Sequence, residues 1–194
     1  MQAPTPETLS AATDLLLRGG VAVIPTDTVY GIAAHPARPD AVARICTIKG
    51  RPTGKPIALL AADAPAVTAF GADFPPAARR LADAYWPGAL TLVLPCGGAG
   101  EGFRVPDHAF TRRLLAACGG VLRVTSANLS GAMPAVNAVE ALKDVGLEAD
   151  LVIDDGPSPG GVPSTVVKVD ADGTLTVLRE GAIPSADIHR AARA

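Results

Sequence analysis

Short apolar runs alternate with segments of helical periodicity along this chain. Runs such as VAVIP at 21–25 and LTLVLP at 90–95 are too short for buried helices, and their Val, Ile and Leu content predicts strands. Thr5 and Pro6 are typical of a helix start, and Gly19 and Gly20 of its end. The predicted strands are 21–25, 57–62, 90–95, 103–105, 121–127 and 151–155, and the predicted helices are 5–18, 39–46, 63–70, 75–85, 108–118, 138–145 and 184–193.

The end of the chain decides the predicted fold class. Residues 164–180 read as two strands joined through Asp172 and Gly173, a dipeptide that favours a hairpin turn. A hairpin beside interleaved strands and helices predicts an α/β domain with a mixed parallel and antiparallel sheet. Residues 95–102 and 154–163 are rich in Gly and Pro and are predicted loops, the second long enough to cover a site.

Composition excludes several classes of protein. The net charge of −2 gives no global sign of nucleic-acid or membrane binding, so any anion binding must be local. No apolar window approaches the roughly 20 residues that cross a bilayer, and the first residues do not form a signal peptide. The three cysteines, at 46, 96 and 118, lack a CxxC spacing, which favours reduced thiols in a cytosolic protein over disulfides or zinc.

Three cations are concentrated on a stiff segment after the second helix. Lys49, Arg51 and Lys55 lie within seven residues that also include two glycines and a proline. If this backbone is extended, Lys49 and Arg51 point to the same side and could clamp a phosphate or carboxylate. A solvated basic loop is the other interpretation, and spacing alone leaves both open.

Further polar groups follow other predicted strands. Thr28 lies in PTDTVYG at 25–31, after the first strand, and Ser126 and Asn128 lie two apart in TSANLSG at 125–131. Ligands of α/β sheets bind at such strand ends, although short polar side chains also serve as local caps and turns. Ser164 and Arg179 lie in the C-terminal hairpin. The sequence contains no phosphate loop, no nucleophile elbow and no metal-ligand spacing of its three histidines.

Taken together, seven motifs are highly specific. PTDTVYG, KGRP, WPGALTLVL, FRVPDH, TSANLSG, STVVKV and VLREG occur in this order between Pro25 and Gly181 and closely resemble the YrdC/Sua5/TsaC family of threonylcarbamoyl-AMP synthases. The resemblance implies a YrdC-like twisted mixed sheet flanked by helices, with a large concave cationic cavity. It also implies the short TsaC-type form, a single catalytic domain over 1–194 without the C-terminal domain of longer Sua5 members.

The reaction implied by the resemblance is a nucleotidyl transfer. L-threonine, bicarbonate or CO2, and ATP would give L-threonylcarbamoyl-AMP and pyrophosphate, with Mg²⁺ accompanying ATP and no protein-bound metal. A TsaD/TsaB/TsaE-like complex would then transfer the threonylcarbamoyl group to adenosine 37 of tRNAs that read ANN codons. A cytoplasmic protein is implied, without membrane contact, and a direct contact with tRNA or double-stranded RNA is compatible with the family.

The resemblance also assigns residues. It implies catalytic roles for Lys49, Arg51, Ser126 and Asn128, threonine contacts for Thr28, Arg51, Ser126 and Ser164, and nucleotide contacts for Lys49, Lys55, Thr91, Asn128 and Arg179. The sequence departs from the family at Leu60, where many members have His, and at Val136, in AVN where relatives often have Pro-Thr.

Other functions stay open at this point. The same cation-lined surface could bind tRNA or double-stranded RNA without catalysis, and the chain could be a YciO-type paralogue with different activity. A carbamoyl-transferring domain of hydrogenase maturation proteins is a further relative, usually embedded in longer chains with zinc-finger segments. In the synthase interpretation, the cations neutralise mutually repulsive substrates and loop 154–163 covers the pocket.

Overall fold

A nine-stranded mixed sheet organises the computed structural model, which describes residues 1–52 and 54–193. The strands are β1 Ala22–Ile24, β2 Gly31–Ala34, β3 Leu59–Ala61, β4 Leu90–Cys96, β5 Ala99–Arg104, β6 Val121–Ser126, β7 Leu151–Val152, β8 Thr165–Val169 and β9 Leu175–Arg179. The helices are α1 Pro6–Leu17, α2 Pro39–Lys49, α3 Ala64–Ala69, α4 Pro76–Tyr85, α5 Ala109–Ala117, α6 Ala138–Ala141, which continues as a π-helical turn Leu142–Gly146, and α7 Ser185–Ala191.

The strand order confirms the predicted mixed sheet. Across the sheet the order is β7-β1-β2-β6-β3-β5-β4-β8-β9. The pairs β1–β7, β3–β5 and β4–β8 are parallel, and the other neighbours are antiparallel. The C-terminal hairpin predicted over 164–180 is present as β8 and β9.

The sequence pattern missed one strand and part of a hairpin. The sequence reading did not identify β2, because GIAA is buried at every position and shows no alternation. The predicted loop 95–102 is wrong, since β4 and β5 form a hairpin over most of it. Gly97 and Gly98 make its turn with φ values of 56° and 83°, which suit a two-residue hairpin connection.

Helix α2 extends beyond its predicted end and changes the geometry of the basic segment. Ile45 and Ile48 are buried in a core with strands β1 and β2, so the helical pattern continues to Lys49. Gly50 then ends the helix in the left-handed region, with φ 59°. Lys49 and Arg51 therefore do not lie on one extended strand, and the expectation that they point to the same side for that reason is wrong.

The helices cover the sheet unevenly. Helices α1 and α5 pack against one face through Leu16 and Leu114, while α4 and α7 pack against the other face through Leu81 and Ile188. Leu90, Leu92 and Leu94 of β4 pack in the same core as α4 and α7. Because side chains alternate along a strand, Thr91 and Val93 point to the opposite face of the sheet. That side of β4, β5, β8 and β9 forms the floor of a cavity.

No helix within residues 1–52 and 54–193 is long and apolar enough to cross a membrane.

Candidate active site

One cavity of about 590 Å³ brings together the residues that the sequence singled out. Its lining includes all nine predicted site residues: Thr28, Lys49, Arg51, Lys55, Thr91, Ser126, Asn128, Ser164 and Arg179. They come from the β1–β2 connection, the end of α2 and the segment after it, β4, the end of β6, the residue before β8, and the end of β9. The tertiary structure thus places them around a single space, while their individual roles stay predictions.

Lys49 is a cation of this lining that is almost fully removed from solvent. Its side chain is 2% exposed, and Nζ donates to the backbone oxygen of Ser126 at 2.5 Å and to that of Asn128. Burial, and secondarily the neighbouring charge of Arg51, lower the pKa of Lys49 to about 8, while Asp144 acts in the opposite direction. Lys49 also accepts a hydrogen bond at its own carbonyl from Ser130 N, so the end of α2 and the segment after β6 are tied together.

Asn128 has an unsatisfied acceptor at the same wall. Its amide nitrogen donates to the carbonyl oxygens of Leu129 at 2.8 Å and Ala132 at 2.9 Å. Because carbonyl oxygens only accept, these contacts fix the orientation of the amide. Oδ1 is buried and has no hydrogen-bond partner among the described residues. Such a group is costly unless a ligand or water donates to it.

Arg51 lies nearer to solvent. Its Nε and one terminal nitrogen donate to the carbonyl oxygens of Lys55 at 3.3 Å and Pro56 at 2.6 Å. A guanidinium carries five N–H donors, so two contacts to its own loop leave donors for an anion. Lys55 is exposed at the same segment.

Arg104 is a cavity residue that the sequence reading did not assign. It is 6% exposed and forms an ion pair with Asp27, and it donates to Thr28 Oγ1 at 2.7 Å and to the carbonyl of Gly88 at 2.9 Å. Burial lowers the pKa of Arg104 and the Asp27 charge opposes this shift. The signal was available in FRVPDH, where a strand places a cation between buried Phe103 and Val105.

A chain of hydroxyls and one arginine forms a further wall of the cavity, at β4, β8 and β9. Ser164 Oγ lies 2.8 Å from Thr91 Oγ1, and Arg179 donates to the Ser164 carbonyl at 2.8 Å. Burial lowers the pKa of Arg179. These contacts join β4, β8 and β9 around a polar surface that presents both hydroxyl and guanidinium groups.

The loop predicted to cover the site is fixed to the β1–β2 connection. Tyr30 donates its hydroxyl to the carbonyl of Gly156 at 2.6 Å. Gly160 N and Gly161 N donate to the carbonyls of Asp27 at 3.0 Å and Thr28 at 2.9 Å. Only the end of this loop, at Pro163, lines the cavity. The loop therefore packs as part of the wall, held by backbone hydrogen bonds.

The lining is strongly cationic. Lys49, Arg51, Lys55, Arg104 and Arg179 contribute to it, and among the described lining residues Glu101 is the only acid. Glu101 is paired with Arg123 at 2.7 Å. Across the part of the chain that the structure describes, no group of three or more His, Cys, Asp or Glu side chains could hold a metal ion. This surface suits an anionic ligand with several charges.

The two departures from the family pattern differ in position. Leu60 lines the cavity and is 6% exposed, so the position at which the resemblance implies His in many members carries an apolar side chain. Val136 is not part of the described lining, and its backbone N–H donates to Glu140 at 2.8 Å. The first departure changes the wall of the pocket, whereas the second lies outside it.

Comparison with known proteins identifies a family model and similar proteins that cover most of this chain. A family model described as telomere recombination (Sua5/YciO/YrdC) matches residues 14–181. The chain is 34% identical to the threonylcarbamoyl-AMP synthase of Bacillus subtilis, covering 93% of this chain and 55% of that protein. It therefore spans about half the length of that curated relative.

Two solved structures share the fold. The structure of Pyrococcus abyssi Sua5 complexed with L-threonine superposes with a TM-score of 0.89 at 30% identity, covering 95% of this chain and 57% of that one. Escherichia coli YciO superposes with a TM-score of 0.81 at 28% identity, covering 93% of this chain and 92% of that one.

Proposed function

We propose that this chain, which belongs to the Sua5/YciO/YrdC family, makes L-threonylcarbamoyl-AMP and pyrophosphate from L-threonine, bicarbonate or CO2, and ATP. The observation that carries the proposal is the gathering of nine predicted substrate contacts around one cationic cavity. The similarity to a Bacillus subtilis protein named threonylcarbamoyl-AMP synthase, and to a Sua5 structure complexed with L-threonine, supports the same reaction.

The chemistry requires positioning and charge neutralisation. The threonine amine attacks CO2, and an oxygen of the resulting carbamate attacks the α-phosphorus of ATP while pyrophosphate leaves. The substrates supply the nucleophile, so no serine or cysteine of the protein is needed. Carboxylate, carbamate and triphosphate repel each other, and the guanidinium groups of Arg51, Arg104 and Arg179 would hold them together.

The lining residues are divided between the two substrates in this proposal. Thr28, Arg51, Ser126 and Ser164 contact threonine, and Lys49, Lys55, Thr91, Asn128 and Arg179 contact the nucleotide. Asn128 Oδ1 supports its assignment, because a bound ligand that donates a hydrogen bond would satisfy a buried acceptor. Arg104 is added as a further cation, and its hydrogen bond to Thr28 supports a role next to the proposed threonine contacts.

Mg²⁺ enters the proposal with ATP, since this ion is commonly held by substrate phosphates and water and would stabilise the leaving pyrophosphate. The continuous sheet supports one catalytic domain over 1–194. A TsaD/TsaB/TsaE-like complex, which transfers the threonylcarbamoyl group to tRNA, and a cytoplasmic location complete the proposal.

Pyrophosphate release tests the proposal directly. The protein is incubated with ATP, Mg²⁺ and bicarbonate, and release is measured with L-threonine, with L-serine and without an amino acid. Release that depends on threonine supports the synthase. Absence of release from folded protein contradicts it, and titration with tRNA at several salt concentrations would then separate RNA binding from a YciO-type activity.

A further inference from the structure

The hydrogen-bond partners of Lys49 leave one position at its amine without a contact among the described residues. Both partners of Nζ, the backbone oxygens of Ser126 and Asn128, can only accept. A neutral amine has two N–H groups and one lone pair, so these two contacts use both hydrogens and leave the lone pair as the remaining position. A protonated amine would carry a third N–H in that position. These contacts therefore fit both forms, and the neutral form has its lone pair free at the remaining position.

The charges around Lys49 do not favour its protonated form. No carboxylate within 4.0 Å pairs with Nζ among the described residues, in contrast to Arg104, which pairs with Asp27. The charged groups that act on Lys49 are Arg51, on the segment that follows it, and Asp144, on the π-helical turn. Burial is the largest influence, and together they bring the pKa of Lys49 to about 8. The protonated form then predominates near pH 7, and a minor fraction of Lys49, roughly a tenth to a fifth, is neutral and available as a base.

We propose that neutral Lys49 is the general base of carbamate formation, accepting the proton of the threonine amine as its nitrogen attacks CO2. The proposal rests on the proposed function and assigns Lys49 a role in proton transfer in addition to substrate binding. Position supports it, because Lys49 lies in the cavity wall with Ser126 and Asn128.

The step is balanced in atoms and charge. The N–C bond forms, one C=O electron pair of CO2 moves onto oxygen, and an N–H bond of the amine breaks with its proton passing to Nζ. Neutral amine, CO2 and neutral Lys49 become a carbamate anion and an ammonium. The positive charge on Lys49 therefore appears beside the new anion at the moment when stabilisation is needed. Proton transfer of this kind typically contributes about 10²–10⁴-fold in rate.

Two variants separate a base from a fixed cation. Lys49→Arg keeps a positive charge but cannot be deprotonated, and Lys49→Met keeps the approximate length without charge. We expect both to lower kcat by about 10²–10⁴-fold. ATP affinity, measured by calorimetry, should change less than about threefold in Lys49→Arg, which keeps the charge toward the nucleotide, and should fall further in Lys49→Met. Lys143→Met, on an exposed part of the π-helical turn, is the matched control. Lys49→Arg with turnover close to that of the unchanged protein would overturn the proposal.

Chemical rescue gives an independent readout. In Lys49→Ala, added primary amines should restore pyrophosphate release in proportion to their basicity, and tetramethylammonium, a cation without a lone pair, should not. Equal rescue by tetramethylammonium would show that only the charge matters and would contradict a general base. Absence of threonine-dependent release from the unchanged protein would instead contradict the proposed function, so the two failures are distinguishable.

Discussion

Two walls of the cavity bury a cation in opposite ways. On the wall formed by α2 and the end of β6, Lys49 is 2% exposed and meets only carbonyl oxygens. On the wall formed by the β1–β2 connection and β5, Arg104 is 6% exposed and pairs with Asp27. A buried charge with a carboxylate partner is retained, whereas a buried amine without one can lose its proton. The first wall is therefore suited to proton transfer and the second to a permanent charge.

The largest expected effect comes from removing the partner of Arg104. Asp27→Ala leaves a buried guanidinium uncompensated, and we expect the free energy of unfolding to fall by about 3–5 kcal/mol in urea denaturation. Asp187→Ala removes the carboxylate of an exposed pair with Arg190 and should change it by less than about 1 kcal/mol. Similar values for the two variants would contradict the difference between buried and exposed pairs.

A smaller effect is expected at Arg51, a half-buried cation of the same cavity. Arg51→Ala should lower the transition-state stabilisation in kcat/KM by about 2–4 kcal/mol, by analogy with the loss of one oxyanion donor. Its hydrogen bonds reach only its own loop, so the free energy of unfolding should hardly change. Arg113→Ala, on the exposed surface of α5, is the control. Full turnover of Arg51→Ala would show that Arg51 does not contribute to catalysis.

The smallest effect concerns the pH dependence of stability beside the second wall. His108 Nδ1 accepts from Thr111 N at the start of α5, and its Nε2 lies 3.2 Å from Asp155. Burial lowers the pKa of His108 below the ordinary value of a histidine, against the opposing charges of Asp155, Asp27 and Asp107. The unfolded chain then binds more protons, so this contribution is complete above the unfolded pKa and is lost as pH falls through the folded one.

His108→Asn tests this sign, because Asn keeps a good helix cap without titrating near neutral pH. Denaturation midpoints measured at decreasing pH should fall less steeply in this variant than in the unchanged protein. His189→Asn, exposed on α7, is the control. Identical pH dependence of His108→Asn and the unchanged protein would show that His108 does not carry the effect.

Local signals predicted most of the elements for identifiable reasons. Thr5 caps α1 by accepting from Thr8 N, and Asn137 caps α6 by accepting from Glu140 N. Strand β2 was not predicted because its four residues are all buried and show no alternation. Its position is determined by pairing with β1 and β6. Helix α2 continues to Lys49, beyond its predicted end at residue 46, because Ile48 is packed in the core and the helix ends only at Gly50.

The sequence by itself determined most of the helices and strands, the mixed character of the sheet and the motifs that place the chain in its family. Only the tertiary structure decided which cations are compensated. Lys49 meets the carbonyl of Ser126 across 77 positions of the chain, and Asp27 meets Arg104 across another 77. The physical reason is that burial and charge pairing depend on neighbours in space. No local pattern can show that one cation has a carboxylate beside it and the other does not.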